Sequence, residues 1–391
     1  FFSKTYKEFL IMTVLTVYLC GTGASSFDNN NHNNPVYWQG ELVSTLAHNN
    51  LDREFAQWFI VDGPGSGNLQ EDDLWVESPN YSDIKGSLFG SGWEENVEHA
   101  LCLMKGNFDW QREKLTEQQY NQLKKAGIPI EDVEVTGSFL WRKYNYGDRY
   151  VTQQQLQQQI IRTFRKDGII PTQVNLMGWS RGGITCHMLA NAMLKDPLLK
   201  DIPVNIFAID PVPGPLNFQP EKVTLGSNVK EYVGFYAIDE RSKGFACVIP
   251  TVTAETKMHI FPLSGRHATL VGNAAIDGSE GKNALFSPGL IVRHFAERCL
   301  TRWGCQLANK LELTDKEIFE HHTDIKNDAD KYIAMRRKTY SIYESSGDDE
   351  RKVSLGKEGK AFSDIYGAQY EPSMALTADY FADPQLYDVI K

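Results

Sequence analysis

Apolar runs of strand length recur along the chain, at residues 12–19, 58–62, 174–178, 204–209, 229–238 and 258–263. Helix-like stretches separate them, chiefly 93–104, 151–165, 184–195 and 289–302. In 184–195 the apolar residues fall at 184, 188, 189, 192 and 193, the three-to-four spacing of a helix face. Strands that alternate with helices predict an α/β fold, a mostly parallel sheet flanked by helices on both faces. Such sheets place their sites beyond the carboxyl ends of the strands.

The first run has two readings. Phe9 to Leu19 follows Lys4 and Lys7 and precedes small residues, as a signal peptide would. Its β-branched residues, its threonines and the closing Cys20-Gly21-Thr22-Gly23 turn favour the first buried strand of the sheet. The run is too short to span a bilayer and no other stretch qualifies. A soluble chain is expected, cytoplasmic where it is made.

Around this frame the pattern changes twice. Residues 105–150 carry a polar helix near Thr116 to Lys125 and an aromatic patch of Phe139, Trp141, Tyr144 and Tyr146, which reads as a cap or insertion, or equally as further core. The run Asn29 to Asn34 reads as a surface loop. After Cys305, Thr314-Asp315-Lys316-Glu317 forms a capping box, from which a helix is expected to reach about Tyr340. Ser345 to Lys360 is polar and expected to be flexible. The chain therefore divides into a domain over 1–303 and a helical, partly flexible extension over 304–391.

Composition narrows the function classes. A 41% hydrophobic and 23% charged sequence of 391 residues can bury a large core. A net charge of −10 argues against nucleic-acid binding, and the short Arg336-Arg337-Lys338 cluster reads as a solvated helix face. The cysteines at 20, 102, 186, 247, 299 and 305 lack metal spacing; Cys299 and Cys305 could pair, but nothing demands it.

Candidate chemistry concentrates where the run Val174 to Met177 ends, in Gly178-Trp179-Ser180-Arg181-Gly182-Gly183. This is the G-x-S-x-G spacing of a nucleophile elbow, a strand turning sharply into a helix with the serine at the turn. Glycines flank the serine because strand and helix crowd together there. The alternative, a phosphate-cradling turn, lacks the G-x-G-x-x-G and G-x-x-x-x-G-K-[ST] spacings.

A serine hydroxyl needs a base to take its proton and a carboxylate to orient that base. In elbow enzymes these follow in the order Ser, Asp or Glu, His. Of the histidines beyond the elbow helix, His259 is in a strand, His294 in a helical pattern and His321-His322 in the tail. His267 follows the last strand-like run and fits a loop base. Two carboxylates compete to orient it. Asp210 ends one strand before Pro211-Val212-Pro213-Gly214, and Asp239 ends the next before Glu240-Arg241. Strand counting favours Asp239; an ion pair within Asp239-Glu240-Arg241 would leave Asp210 for the histidine. For the oxyanion, the backbone N–H of Arg181 and the Gly21-Thr22 loop are candidate donors.

Several motifs fall in one order. Leu19-Cys20-Gly21-Thr22-Gly23 corresponds to a D-G-T turn, Asp62-Gly63-Pro64-Gly65-Ser66-Gly67 to a G-x-G loop, and the elbow to G-F-S-R-G-A. Asp210-Pro211-Val212 matches a D-T-V turn, Asp239-Glu240-Arg241-Ser242-Lys243-Gly244-Phe245 a D-E-R-R-x-F segment, and Phe261 to His267 an F-P-G-x-H end. Over about residues 12–303 the chain resembles the α/β-hydrolase-like family that includes the bacterial type VI secretion phospholipase effectors. The resemblance implies a Ser-His-Asp lipase or phospholipase with Ser180 as nucleophile, His267 as base and Asp210 as acid, Asp239 in reserve. It also implies an acyl-lipid or other ester substrate, transient contact with a membrane surface and delivery as a secreted effector. Three features depart from the pattern: Cys20 replaces an aspartate, two extra residues precede His267, and the glycine cluster after it reads Ala268-Thr269-Leu270-Val271-Gly272. The chemistry calls for no metal or organic cofactor. A catalytically silent binding or adaptor module, or a thioesterase or peptidase, are the rival expectations.

Overall fold

The computed structural model describes residues 13–21, 34–37, 41–52, 54, 57–61, 63, 93–105, 134–136, 143–145, 170–214, 216–242, 244–273, 285–337, 350–355, 359–361 and 384–391. Six strands make the central sheet: β1 (Val14–Leu19), β2 (Trp58–Val61), β5 (Gln173–Trp179), β6 (Val204–Ile209), β7 (Val229–Ala237) and β9 (Lys257–Leu263). Their order is β2-β1-β5-β6-β7-β9, and every pairing is parallel. Two short strands, β3 (Glu134–Thr136) and β4 (Lys143–Asn145), pair apart from it. The rest of the stretch 105–150, residues 151–165 read as helical, and residues 29–33 of the run read as a surface loop lie outside the described residues.

Side chains leave each strand alternately, so the buried runs feed two cores. Leu15, Val17, Leu176, Ile206, Tyr232 and Tyr236 pack on one face with helices α2 (Trp93–Lys105) and α3 (Arg181–Lys195). Tyr18, Met177, Phe207, Val233 and Phe235 pack on the other with α1 (Leu42–His48) and α5 (Ser287–Arg302). The short α4 (Pro220–Val223) follows β6. This is an α/β fold with helices on both faces.

Chain order reverses between β1 and β5, since β2 lies on the far side of β1 while β6, β7 and β9 succeed one another beyond β5. A crevice opens at such a switch point because the connections leave in opposite directions. Gly178 is level with Leu19, Ile209 with Phe235, and Leu263 with Ala237, so the loops after β1, β5, β6, β7 and β9 share one edge.

Beyond residue 304 the capping box forms: Thr314 Oγ1 accepts from the Glu317 N–H, and Glu317 accepts from the Thr314 N–H. The helix is shorter than expected. It breaks into α6 (Asp315–Asn327) and α7 (Ala329–Met335), with Asp328 between them. Asn and Asp are poor helix formers, and a carboxylate is unfavourable at a helix C-terminus but favourable at the next N-terminus. Ile318, Ile325, Tyr332, Met335, Tyr387 and Ile390 share the second core with the sheet, Tyr387 lying 4.1 Å from the Phe295 ring. Within the stretch read as flexible, Lys352–Ser354 is instead a strand (β10). It pairs in parallel with β8 (Cys247–Val248) and antiparallel with β11 (Gly359–Ala361). Cys20, Cys186, Cys247, Cys299 and Cys305 are buried free thiols, and Cys305 contacts Thr16 Oγ1 at 2.7 Å. No helix among the described residues is long and apolar enough to cross a membrane.

Candidate active site

Ser180 sits between β5 and α3 with φ 58° and ψ −125°, left-handed backbone that a side-chain-bearing residue adopts only when its surroundings enforce it. They do so by close packing. A Cβ on Gly178 would strike the Gly182 carbonyl, and one on Gly182 would strike the Leu19 and Cys20 carbonyls at the end of β1. The Ser180 N–H donates to the Ile209 carbonyl at 3.0 Å, and its carbonyl accepts from Val212 at 3.3 Å. The elbow is thereby stitched to the loop after β6. Arg181 is the first residue of α3 and presents its N–H at the helix N-terminus, where the dipole favours negative charge. Burial lowers its guanidinium pKa to about 10. Gly21 lies against the Trp179 ring, on the β1 side of the crevice; Thr22 lies outside the described residues. Ser180 itself is only 4% exposed.

Asp210 is fully buried at the end of β6, also at positive φ (40°). Its Oδ2 accepts from His267 Nδ1 at 2.6 Å and from Arg351 Nη2 at 3.0 Å, while Oδ1 accepts the Ala237 N–H at 3.1 Å. Burial alone would push this carboxyl up. The Arg351 guanidinium, with His267 and the Ala237 N–H, instead holds it below the usual carboxylate range. Donation from Nδ1 leaves Nε2 as the ring nitrogen with a lone pair to take a proton. The Trp179 ring, next to Ser180 in sequence, lies 5.1 Å from the His267 ring, and the Phe245 ring meets it edge-on at 5.4 Å.

Asp239 does not reach the imidazole. Its Oδ2 accepts the Gly265 N–H at 2.8 Å and Oδ1 accepts Arg336 Nε at 2.6 Å. Neighbouring Arg241 donates to the Ile238 and Glu240 carbonyls, while the side-chain hydrogen bond to Asp239 comes from Arg336, just past the end of α7. Burial outweighs Arg336 and raises the Asp239 pKa. Glu240 shapes the same loop, accepting the N–H groups of Ser242 at 2.7 Å and of His267 at 3.3 Å.

The structure thus brings Gly21, Ser180, Arg181, Asp210 and His267 to one edge and sets Asp239 one step back, beneath Gly265. Sequence reasoning missed Arg351 and Glu240. A signal for Arg351 existed: apolar Val353 and Leu355 alternate with Lys352 and Ser354, the period of a strand, within a polar background. Glu240 falls within the matched segment Asp239 to Phe245, but its role depends on where His267 folds back. Among the described residues no group of three or more His, Cys, Asp or Glu converges as a metal site.

No protein-family model matches the chain, and no curated protein matches it. Among solved structures, an uncharacterized protein from Pseudomonas aeruginosa is similar with TM-score 0.38 and 12% identity, over 83% of this chain and 52% of that one. The Tle1 effector bound to the VgrG spike of the Type 6 secretion system is similar with TM-score 0.30 and 12% identity, over 67% and 51%. The chain spans about half the length of these two structures, and the likeness concerns the course of the fold alone.

Proposed function

We propose that this chain is a serine hydrolase of carboxylic esters. Ser180 Oγ attacks the ester carbonyl while His267 Nε2 takes its proton, and Asp210 holds the imidazolium through Nδ1. The N–H groups of Arg181 and of the Gly21-Thr22 loop receive the negative charge of the tetrahedral intermediate. Collapse releases the alcohol, protonated by His267, and water then frees the acyl group by the same steps in reverse order. One observation carries the reading: the imidazole of a 2.6 Å Asp210–His267 pair lies 5.1 Å from the ring of Trp179, the residue before a serine held at positive φ on a strand-to-helix turn.

The finer reading is an acyl-lipid substrate, a lipase or phospholipase acting as a secreted effector. Leu216, six residues after Asp210 in the loop that follows β6, is 89% exposed and is the apolar side chain on which this finer reading leans. The low exposure of Ser180 favours a second reading, a hydrolase fold kept as a binding module with a silent centre.

Fluorophosphonate labelling separates the two. An active centre is modified on Ser180 and the Ser180→Ala variant is not; a wild-type chain that resists the probe would end the hydrolase reading. Ser180→Ala and His267→Ala should each lower turnover by several orders of magnitude, roughly a million-fold at the extreme. Nitrophenyl esters of rising chain length, phospholipid vesicles, a thioester and a peptide then assign the substrate class.

A further inference from the structure

Arg351 is 2% exposed, and a buried guanidinium is expensive unless its donors are matched. Here Nη1 donates to the Ala237 carbonyl, and Nη2 donates to Asp210 Oδ2 at 3.0 Å and to the Phe245 carbonyl at 2.8 Å. The residue arrives from outside the six-stranded sheet. Strand β10 docks on β8 through Val353 opposite Cys247 and Ser354 opposite Val248, and the Ile249 N–H donates to the Ser354 carbonyl at 3.1 Å.

These three acceptors belong to residues that hold or touch the Asp210–His267 pair. Asp210 Oδ2 is the atom that binds the imidazole, Ala237 is the residue whose N–H holds the other carboxylate oxygen, and Phe245 carries the ring against the imidazole edge. Rotation of the carboxylate would break its bonds to Arg351 and to Ala237 together. Charge balance alone needs none of the carbonyl contacts; a fork that joins all three does.

We propose that Arg351 is a positioning residue of the hydrolytic centre, supplied by the segment 350–355, which fixes the Asp210 carboxylate and the Phe245 wall so that His267 presents Nε2 to Ser180. The inference rests on the serine-hydrolase reading and adds that the centre is incomplete without this segment. Charged and titratable groups facing Asp210 are His267, Arg351 and Cys247, and those facing Arg351 include Glu240. The Cys247 thiol, pushed up to about 12 by burial, stays neutral throughout the working range.

The test compares Arg351→Met and Arg351→Lys with wild type in the full chain. For nitrophenyl ester hydrolysis, Arg351→Met should lower kcat by roughly 100-fold with KM little changed, the scale of a misplaced catalytic group. Its acid limb of kcat/KM should move to higher pH, because without the Arg351 cation the coupled Asp210–His267 pair holds a proton more readily. Arg351→Lys keeps the charge without the fork, so its acid limb should stay near wild type while kcat recovers in part. An unchanged kcat and acid limb in Arg351→Met would overturn the proposal, even if its melting temperature falls. Should the wild type prove inert to esters and to fluorophosphonate, the hydrolase reading fails separately. Positioning is then read by NMR, from the His267 Nδ1 proton and the Asp210 carboxyl titration. Both should move in Arg351→Met, and if neither moves the proposal fails.

Discussion

Asp210 and Asp239 end adjacent strands, both are buried, and each meets an arginine from beyond residue 304. Their surroundings nevertheless push them apart. Asp210 receives an imidazole, a guanidinium and a backbone N–H, and its carboxyl is held down; Asp239 receives a backbone N–H and one arginine, and burial leaves its carboxyl raised. The comparison teaches that sequence position after a strand does not choose the orienting carboxylate. What chooses it is the one that the returning histidine loop can reach, and that loop is set by Asp239 itself through Gly265. One carboxylate holds the base and the other holds the loop that carries the base.

The sharpest way to break this comparison is to neutralise each carboxylate in turn. Asp210→Asn should lower kcat by about 10⁴-fold, since an amide cannot hold the imidazole in the needed tautomer. Asp239→Asn should stay within roughly tenfold of wild type, because its effect reaches the imidazole only through Gly265. Steady-state ester hydrolysis measures both, and equal losses would erase the distinction. Removing the arginine of the second carboxylate tests stability instead. Arg336→Met should cost about 2 kcal/mol in a urea unfolding series, the worth of a charge-assisted hydrogen bond.

Acid titration of stability sharpens the contrast further, because the two shifts have opposite sign. A carboxyl lowered in the folded state stabilises fully above its unfolded pKa of about 3.9, and that contribution is lost as pH falls through the folded value. A carboxyl raised in the folded state contributes most below about 3.9, and its contribution declines as pH rises towards the folded value. Unfolding midpoints should therefore lose a decline below about pH 3.9 in Asp210→Asn and a decline above about pH 3.9 in Asp239→Asn. The smallest effect is expected away from both carboxylates. Thr314→Ala should destabilise by about 1 kcal/mol through its lost cap and leave turnover unchanged. A turnover loss there would mean that α6 bears on the site directly.

Local pattern determined much of this protein. Buried strands, the helices α3 and α5, the capping box at Thr314 and the glycine-flanked turn at Ser180 are short-range features, fixed by side-chain period and by the steric limits of neighbouring residues. They even placed Asp210, Asp239 and His267 at strand ends. Tertiary structure decided the rest: that Asp210 rather than Asp239 meets Nδ1, that Glu240 receives the His267 N–H, and that a polar stretch near residue 351 brings a guanidinium to Asp210. Each of these joins residues at least 27 positions apart. Contacts of that range are chosen by how loops pack at one sheet edge, and no periodicity in the chain records it.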